Sequence, residues 1–262
     1  MLFRSATTMI QAVAALLGAL STAAPCFVLG AMLLRRLQVN LHAEEWRWIS
    51  FVTGASLLHL IVFVLLAVHA GYWPVFVALL LLILIAGWRT GVWNLPTERL
   101  TPLPGGVVLL SALLFGVFGV LYLFNAWAPE ISPDGSSYHL GLVSRYLRDH
   151  AFHRIDSTLY ANLSQGVEML YVPAFAIGKH SAASLLHLFF LIALARMIFN
   201  YGRRIARPWI GFAASVMVFV SPIVGTDASS AYNDVAVAAI VFAAFYLLEV
   251  WDAQRSSGVL IA

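Results

Sequence analysis

Three acidic side chains stand beside or within long apolar runs. Asp134 ends Asn125-Ala-Trp-Ala-Pro-Glu-Ile-Ser-Pro-Asp134, directly after one such run. Glu168 lies inside another, Gly166-Val-Glu-Met-Leu-Tyr-Val-Pro173. Asp234 closes Gly225-Thr-Asp-Ala-Ser-Ser-Ala-Tyr-Asn-Asp234 at the head of a third. Ionisable groups at membrane depth are rare without a partner or a task. A carboxylate at the water-lipid boundary can take a proton from an incoming hydroxyl, or help hold a divalent cation such as Mg2+ or Mn2+, while an amphiphile approaches from the bilayer. Each aspartate also has a plainer reading. Asp134 can cap a helix, and Asp234 in a first helical turn meets the positive end of the helix dipole. Tyr138 and His139 follow Asp134 closely. Arg145, Arg148 and Arg154 offer forked donors to a lipid phosphate, a role that anionic headgroups in general also explain. Asp134 with His139 matches no metal-ligand spacing, and Cys26, the single cysteine, excludes an intrachain disulfide or a cysteine-based zinc cluster.

The elements that must position these residues are set by composition. The chain has 262 residues, of which 61% are hydrophobic and 10% charged, and its mean hydropathy is +0.88. Soluble chains carry roughly 25% charged residues, so a water-soluble globule and a disordered chain are both excluded. A spanning helix needs about 20 apolar residues. Seven stretches meet or approach that length: 9–34, 49–70, 73–88, 107–124, 181–199, 210–224 and 235–251. The reading is therefore an all-α polytopic integral membrane protein with about seven transmembrane helices. The apolar stretch 167–178 is too short to cross alone and reads as a re-entrant or interfacial helix, or as half of a broken one.

Arginines orient the set, because short loops rich in Lys and Arg stay cytoplasmic. Arg35, Arg36 and Arg47, then Arg89 and Arg99, then Arg203, Arg204 and Arg207, and finally Arg255 alternate onto one side. The other side receives the turn at Gly71, the long loop 125–165 and the loop 225–233. Seven of the twelve acidic residues fall there: Glu130, Asp134, Asp149, Asp156, Glu168, Asp227 and Asp234. This pattern fits a multi-pass protein of a bacterial inner membrane with a periplasmic outer face. The basic residues form no run of the kind that binds nucleic acid.

Within the outer loop, Pro133 and then Ser136 or Ser137 as N-cap start a helix. Tyr138, Leu142 and Tyr146, with Val143 and Leu147, form its apolar side, and Arg145, Arg148 and Asp149 form the other. The expected placement is along the membrane surface, with the apolar side in the acyl boundary. His59, His69 and His187 read as interhelical hydrogen-bonding or interface positions. Residues 1–105 form an N-terminal three-helix segment and 106–262 the remainder. Gly258-Val-Leu-Ile-Ala262 looks like the start of a further helix, so the chain is expected to continue.

The order of span, aspartate, interfacial helix, short apolar piece and span pair with a second aspartate resembles the GT-C glycosyltransferases. These polytopic enzymes include protein O-mannosyltransferases and aminoarabinose transferases. Pro133-Asp-Gly-Ser-Ser-Tyr-His-Leu140, Gln165-Gly-Val-Glu-Met-Leu-Tyr171 and Ser230-Ala-Tyr-Asn-Asp234 carry the likeness, which covers 107–262. The resemblance implies transfer of a sugar, hexosyl or pentosyl, from a polyprenyl-phosphate donor to a glycan, lipid or protein acceptor on the outer face, with inversion. Asp134 would be the base or part of a metal site; Asp234 would position acceptor or phosphate. Glu168, Tyr138 and His139 would line the cavity, and Arg145 and Arg148 would serve the phosphate. Many members carry two adjacent acidic residues where this chain has Asp134-Gly135. Two other readings need no transfer chemistry: a transporter or flippase for an amphiphile, for which Pro25, Pro173 and Pro222 interrupt apolar runs but form no repeat, and a structural membrane subunit.

Overall fold

The computed structural model describes residues Leu2 to Ala262, with side chains from Met9 onward. It is all helical among the described residues. The order is α1 (Leu2–Arg36), α2 (Ala43–Ala67), α3 (Trp73–Thr90), α4 (Gly105–Trp127), a π-helical turn (Gly135–His139) leading into α5 (Leu140–Asp149), a 3-10 turn (Leu159–Asn162), α6 (Gly166–Arg204), α7 (Pro208–Val220), α8 (Pro222–Ala228), α9 (Asp234–Gln254) and α10 (Ser257–Ile261). Six helices are long and apolar enough to cross a membrane: α1 from Met9, α2, α3, α4, α6 and α9. The number rises to seven if α7 and α8, bent by 65° at Ser221, form one broken span. The polytopic all-α architecture read from hydropathy is the one observed.

The centre of the bundle is α6, against which α1, α2, α7 and α9 pack. Its 39 residues would reach about 58 Å at 1.5 Å per residue, well beyond a hydrocarbon core of about 30 Å. The excess is removed by a break at Lys179, whose φ is 60° and ψ −151°. The apolar piece 166–178 is thus the first arm of a broken helix. Gly166 stands beside the His59 ring of α2, and Gly178 is pressed on Ala14 and Ala15 of α1. The second arm, 180–204, provides the crossing. Antiparallel α1 and α2 meet backbone to backbone at Gly30 and Gly54, where an added Cβ would fall 1.8 Å from the Ser50 carbonyl oxygen or 1.6 Å from that of Cys26. Small residues permit this approach where no hydrophobic force separates helix from lipid.

The arginine-rich loops gather at one end of the bundle and lock it. The Arg35 guanidinium donates to the carbonyls of Gly91, at 2.8 Å, and of Thr90 and Asn94, which close the C-terminus of α3. Arg204 donates to Glu45 at 2.9 Å, and the Tyr246 hydroxyl donates to the same carboxylate at 2.6 Å. α2, α6 and α9 are thereby tied through one buried acid. At the opposite end the Gly71 amide donates to the His150 carbonyl and the Trp127 indole to the Ala12 carbonyl, each at 3.0 Å.

Helix α5 differs from expectation in two ways. The helical run that leads through the π-helical turn into α5 begins earlier, since Ser132 rather than Ser136 or Ser137 acts as the cap: the Gly135 amide donates to the Ser132 hydroxyl at 3.1 Å, with Pro133 as first helical residue. Its apolar face is also covered by protein rather than by lipid. Leu140, Leu142, Val143 and Tyr146 are buried, and the helix lies against α6. The Tyr146 hydroxyl donates to the Gln165 side-chain oxygen at 2.8 Å, and its ring lies 5.0 Å from that of Phe152. An apolar stripe flanked by charge shows that a helix has a dry side, but not what keeps it dry.

Candidate functional site

The acidic end of the bundle brings together residues from five elements: the loop before α5, the π-helical turn, the first arm of α6, α8 and the head of α9. The centre is a buried pair. His139 Nδ1 lies 2.7 Å from Glu168 Oε1, with side-chain exposures of 7% and 3%. A carboxylate only accepts, so the proton of this bond sits on Nδ1 and the bond fixes the orientation of the ring. The Asn233 amide donates to the same Glu168 oxygen at 3.0 Å. Glu168 Oε2 is buried without a partner. A buried acceptor with no donor is uncommon.

Aromatic rings wall this pair. Tyr138 stacks on Tyr160 at 4.1 Å and lies 4.3 Å from the His139 ring, which in turn is 5.7 Å from Tyr232. The Tyr171 hydroxyl donates to the Tyr232 carbonyl, fixing the loop ahead of α9. Burial pushes the Tyr138 hydroxyl above its ordinary range, and the negative charge of Asp134, the phenols of Tyr160 and Tyr232 and the charge of Asp234 add to the shift. Asp134 and Asp234 therefore both lie within electrostatic reach of one phenol, although 100 residues separate them in the chain. Tyr138 remains a neutral hydrogen-bond donor well into the alkaline range.

Asp134 accepts no capping hydrogen bond and its carboxylate is exposed, whereas Asp234 is the first residue of α9, in the turn where its charge meets the positive end of the helix dipole, as its plainer reading has it. At the start of α9 the Val235 amide donates to Asp227 at 3.3 Å and the Ala236 amide to His187 Nε2 at 3.2 Å. Those two residues satisfy amides that a helix start leaves open. The Asp234 carboxyl is exposed and lies within electrostatic reach of Asp227. His187 is held from its other side, Nδ1 being 2.9 Å from the Ser230 carbonyl oxygen. This is the interhelical role read for it from sequence.

The arginines of α5 divide. Arg145 is half-buried, donates to the Ser157 hydroxyl at 2.9 Å and stands close enough to Tyr146 to bear on it electrostatically. Arg148 points away and pairs with Asp149, with 70% of its side chain exposed. Arg148 is therefore not brought to the cluster. A residue that received no role from sequence holds the loops together instead: the Glu130 carboxylate accepts from the Ser132 amide at 2.8 Å, from the Ala231 amide at 2.6 Å and from the Ser184 hydroxyl at 3.4 Å. Burial opposes its ionisation, but these hydrogen bonds more than offset that and hold its carboxyl below the usual range. The one local signal for it is Glu130 two residues before Ser132 at a helix start.

No three His, Cys, Asp or Glu side chains are grouped as metal ligands among the described residues. The donor set thus does not fit a divalent cation held by the protein alone. Beside the cluster, a cavity of about 240 Å3 is lined by Ala55, His59, Leu170, Asn233, Val237 and Ile240, among others. It lies between α2, α6 and α9, and Asn233 joins it to Glu168. The arrangement offers an oriented imidazole, two exposed carboxyls and a neutral phenol next to an apolar cavity. Comparison with protein-family models, curated proteins and solved structures gives no match.

Proposed function

We propose that this chain is a membrane glycosyltransferase that moves a sugar from a polyprenyl-phosphate donor to an acceptor hydroxyl at the acidic end of its bundle. On this reading that end faces the periplasm from a bacterial inner membrane. The observation that carries it is the convergence of Asp134, Asp234, Tyr138, His139 and Glu168 beside an apolar cavity, from segments far apart in sequence. Such a cavity suits the lipid part of a donor. The exposed carboxyls suit the hydroxyls of sugar and acceptor.

In the transfer, a base takes the acceptor's hydroxyl proton as its oxygen bonds to the anomeric carbon. The bond from that carbon to the phosphate oxygen breaks, and the electron pair leaves with the lipid phosphate. Attack opposite the leaving group inverts the centre. Asp134 serves as the base, and Asp234 holds the acceptor. Glu168 positions His139 through Nδ1, leaving the ring's far edge toward the reacting groups, and Arg145 is the nearest basic side chain of α5 for the phosphate. No step is assigned to a metal.

In proteoliposomes supplied with a polyprenyl-phosphate sugar, Asp134→Asn should lower transfer by about 10²–10⁴, the usual worth of a general base. Insertion and thermal stability should be unchanged, because the carboxylate caps nothing. Full activity in Asp134→Asn overturns the assignment. A second reading, movement of an amphiphile without chemistry, is favoured by the two broken helices, α6 at Lys179 and α7–α8 at Ser221. It predicts translocation of the lipid with no sugar transfer by the wild type.

A further inference from the structure

A second cavity, of about 410 Å3, lies at the same end of the bundle but away from the His139–Glu168 pair. Lys179 stands eleven residues beyond Glu168, about 16 Å along a helix. The cavity is walled by Ala12 and Ala15 of α1, Trp127 and Pro129 at the end of α4, and Lys179 and Ser181 at the break in α6. Two bonds hold these walls in register: the Trp127 indole donates to the Ala12 carbonyl and the Ser181 hydroxyl to the Ala128 carbonyl, each at 3.0 Å. Its volume falls within the roughly 300–1,000 Å3 typical of small-ligand sites.

Lys179 is the only lysine of the chain. Its backbone occupies a left-handed conformation, φ 60° and ψ −151°, that favours glycine. A side chain kept at such a position has to be weighed against the strain. The Lys179 side chain is exposed and forms no ion pair among the described residues; its ammonium rests 5.5 Å over the Phe175 ring. Glu130, the acid of the preceding loop, is already taken by Ser132, Ala231 and Ser184. The cation is thus free for an anion from outside. The exposed apolar stripe of α1, Met9, Ile10, Val13, Leu17 and Leu20, lies on the face turned away from the cavity and faces the bilayer.

We propose that the break in α6 forms a binding site for the phosphate headgroup of an anionic phospholipid, held by Lys179 between α1 and the end of α4. The site is separate from the chemistry proposed at Asp134 and does not depend on it. The phosphate meets the ammonium at headgroup level, the Trp127 ring borders it at the interface, and the chains extend into the surrounding bilayer.

The test measures thermal stability of the purified full chain in neutral detergent, titrated with phosphatidylglycerol, with phosphatidylcholine and with inorganic phosphate. Three variants are compared with the wild type: Lys179→Gly, Lys179→Gln and Arg255→Gln. Phosphatidylglycerol should raise the wild-type Tm more than the other two additives. Its apparent affinity should fall about fivefold in both Lys179 variants, the usual worth of one basic residue at a lipid surface, and be unchanged in Arg255→Gln, an exposed arginine paired with Asp252 at the opposite end of the bundle. Lys179→Gly also relieves the left-handed backbone, so its Tm without lipid should equal or exceed that of the wild type, which separates lost binding from misfolding. Unchanged phosphatidylglycerol affinity in both Lys179 variants overturns the proposal. So does an equal Tm shift with inorganic phosphate, which would mark a free-anion site.

Discussion

The His139–Glu168 pair allows its energetics to be worked out from geometry. Glu168→Ala removes the acceptor of two donors, His139 Nδ1 at 2.7 Å and the Asn233 amide at 3.0 Å. His139 is 6% exposed, so water does not readily replace the carboxylate. A buried donor left without a partner costs about 1–3 kcal/mol, which applies to His139, and the half-buried Asn233 amide adds less because water reaches it. At about 1.4 kcal/mol per tenfold, a loss of about 2 kcal/mol already changes the folded-to-unfolded ratio some thirtyfold. His139→Ala leaves Glu168 with one donor and two buried oxygens, since Oε2 has none, and should cost about as much. In the double variant most of these penalties disappear together. A double-mutant cycle should therefore show a coupling of about 1.5–3 kcal/mol, as for hydrogen bonds to charged groups. Glu168→Gln keeps an acceptor for both donors and should retain most of the stability while reducing activity, because the imidazole loses the charge that orients it. The assay is reversible unfolding of the detergent-solubilised protein followed by tryptophan fluorescence. Additive single losses would refute the coupling, and a fully active Glu168→Gln would remove Glu168 from the chemistry.

Three further outcomes follow from the same geometry. Glu45→Ala should lower stability by about 3–5 kcal/mol, because it leaves Arg204, the Tyr246 hydroxyl and His42 facing an empty buried site; unfolding midpoints of Glu45→Ala against wild type check this. The Glu130 carboxyl is lowered from the ordinary 4.5 in the folded chain, so its stabilisation is complete above that value and is lost as pH falls through the lower folded value. The Tm difference between wild type and Glu130→Gln should accordingly shrink on acidification from pH 6 to pH 3, and a constant difference would show that the carboxylate charge contributes nothing. A topology reporter fused after Arg204 should read cytoplasmic and one placed at Asp156 should read on the opposite side of the membrane, as the segregation of arginines to one end requires.

Sequence by itself determined the spans and the two ends of the bundle. Bilayer thickness converts directly into a count of apolar residues, and the arginine bias is likewise one-dimensional, so both can be counted along the chain. The short piece 167–178 was legible for the same reason: 12 residues cannot cross. Sequence also marked Glu168, because an ionisable group stands out inside an apolar run, and Asp134 and Asp234 by their position at the ends of such runs, with Tyr138 and His139 close behind Asp134.

Tertiary structure decided which of these groups touch and which alternatives apply. The pairing of His139 with Glu168 joins residues 29 apart, and that of Glu130 with the Ala231 amide joins residues 101 apart; such contacts depend on how α5 packs on α6 and how the loops before α5 and α9 meet, which no local pattern encodes. That Asp234 meets the dipole of α9 without capping its amides depends on Asp227 and His187, which take the Val235 and Ala236 amides. The dry side of α5 faces α6 instead of lipid, since hydrophobicity is blind to the difference between a protein partner and an acyl chain. Lys179 is the sharpest case. A lysine carries no preference for a left-handed backbone, and only the pressure of Gly178 on α1 together with the turn of α6 into its crossing arm places it there.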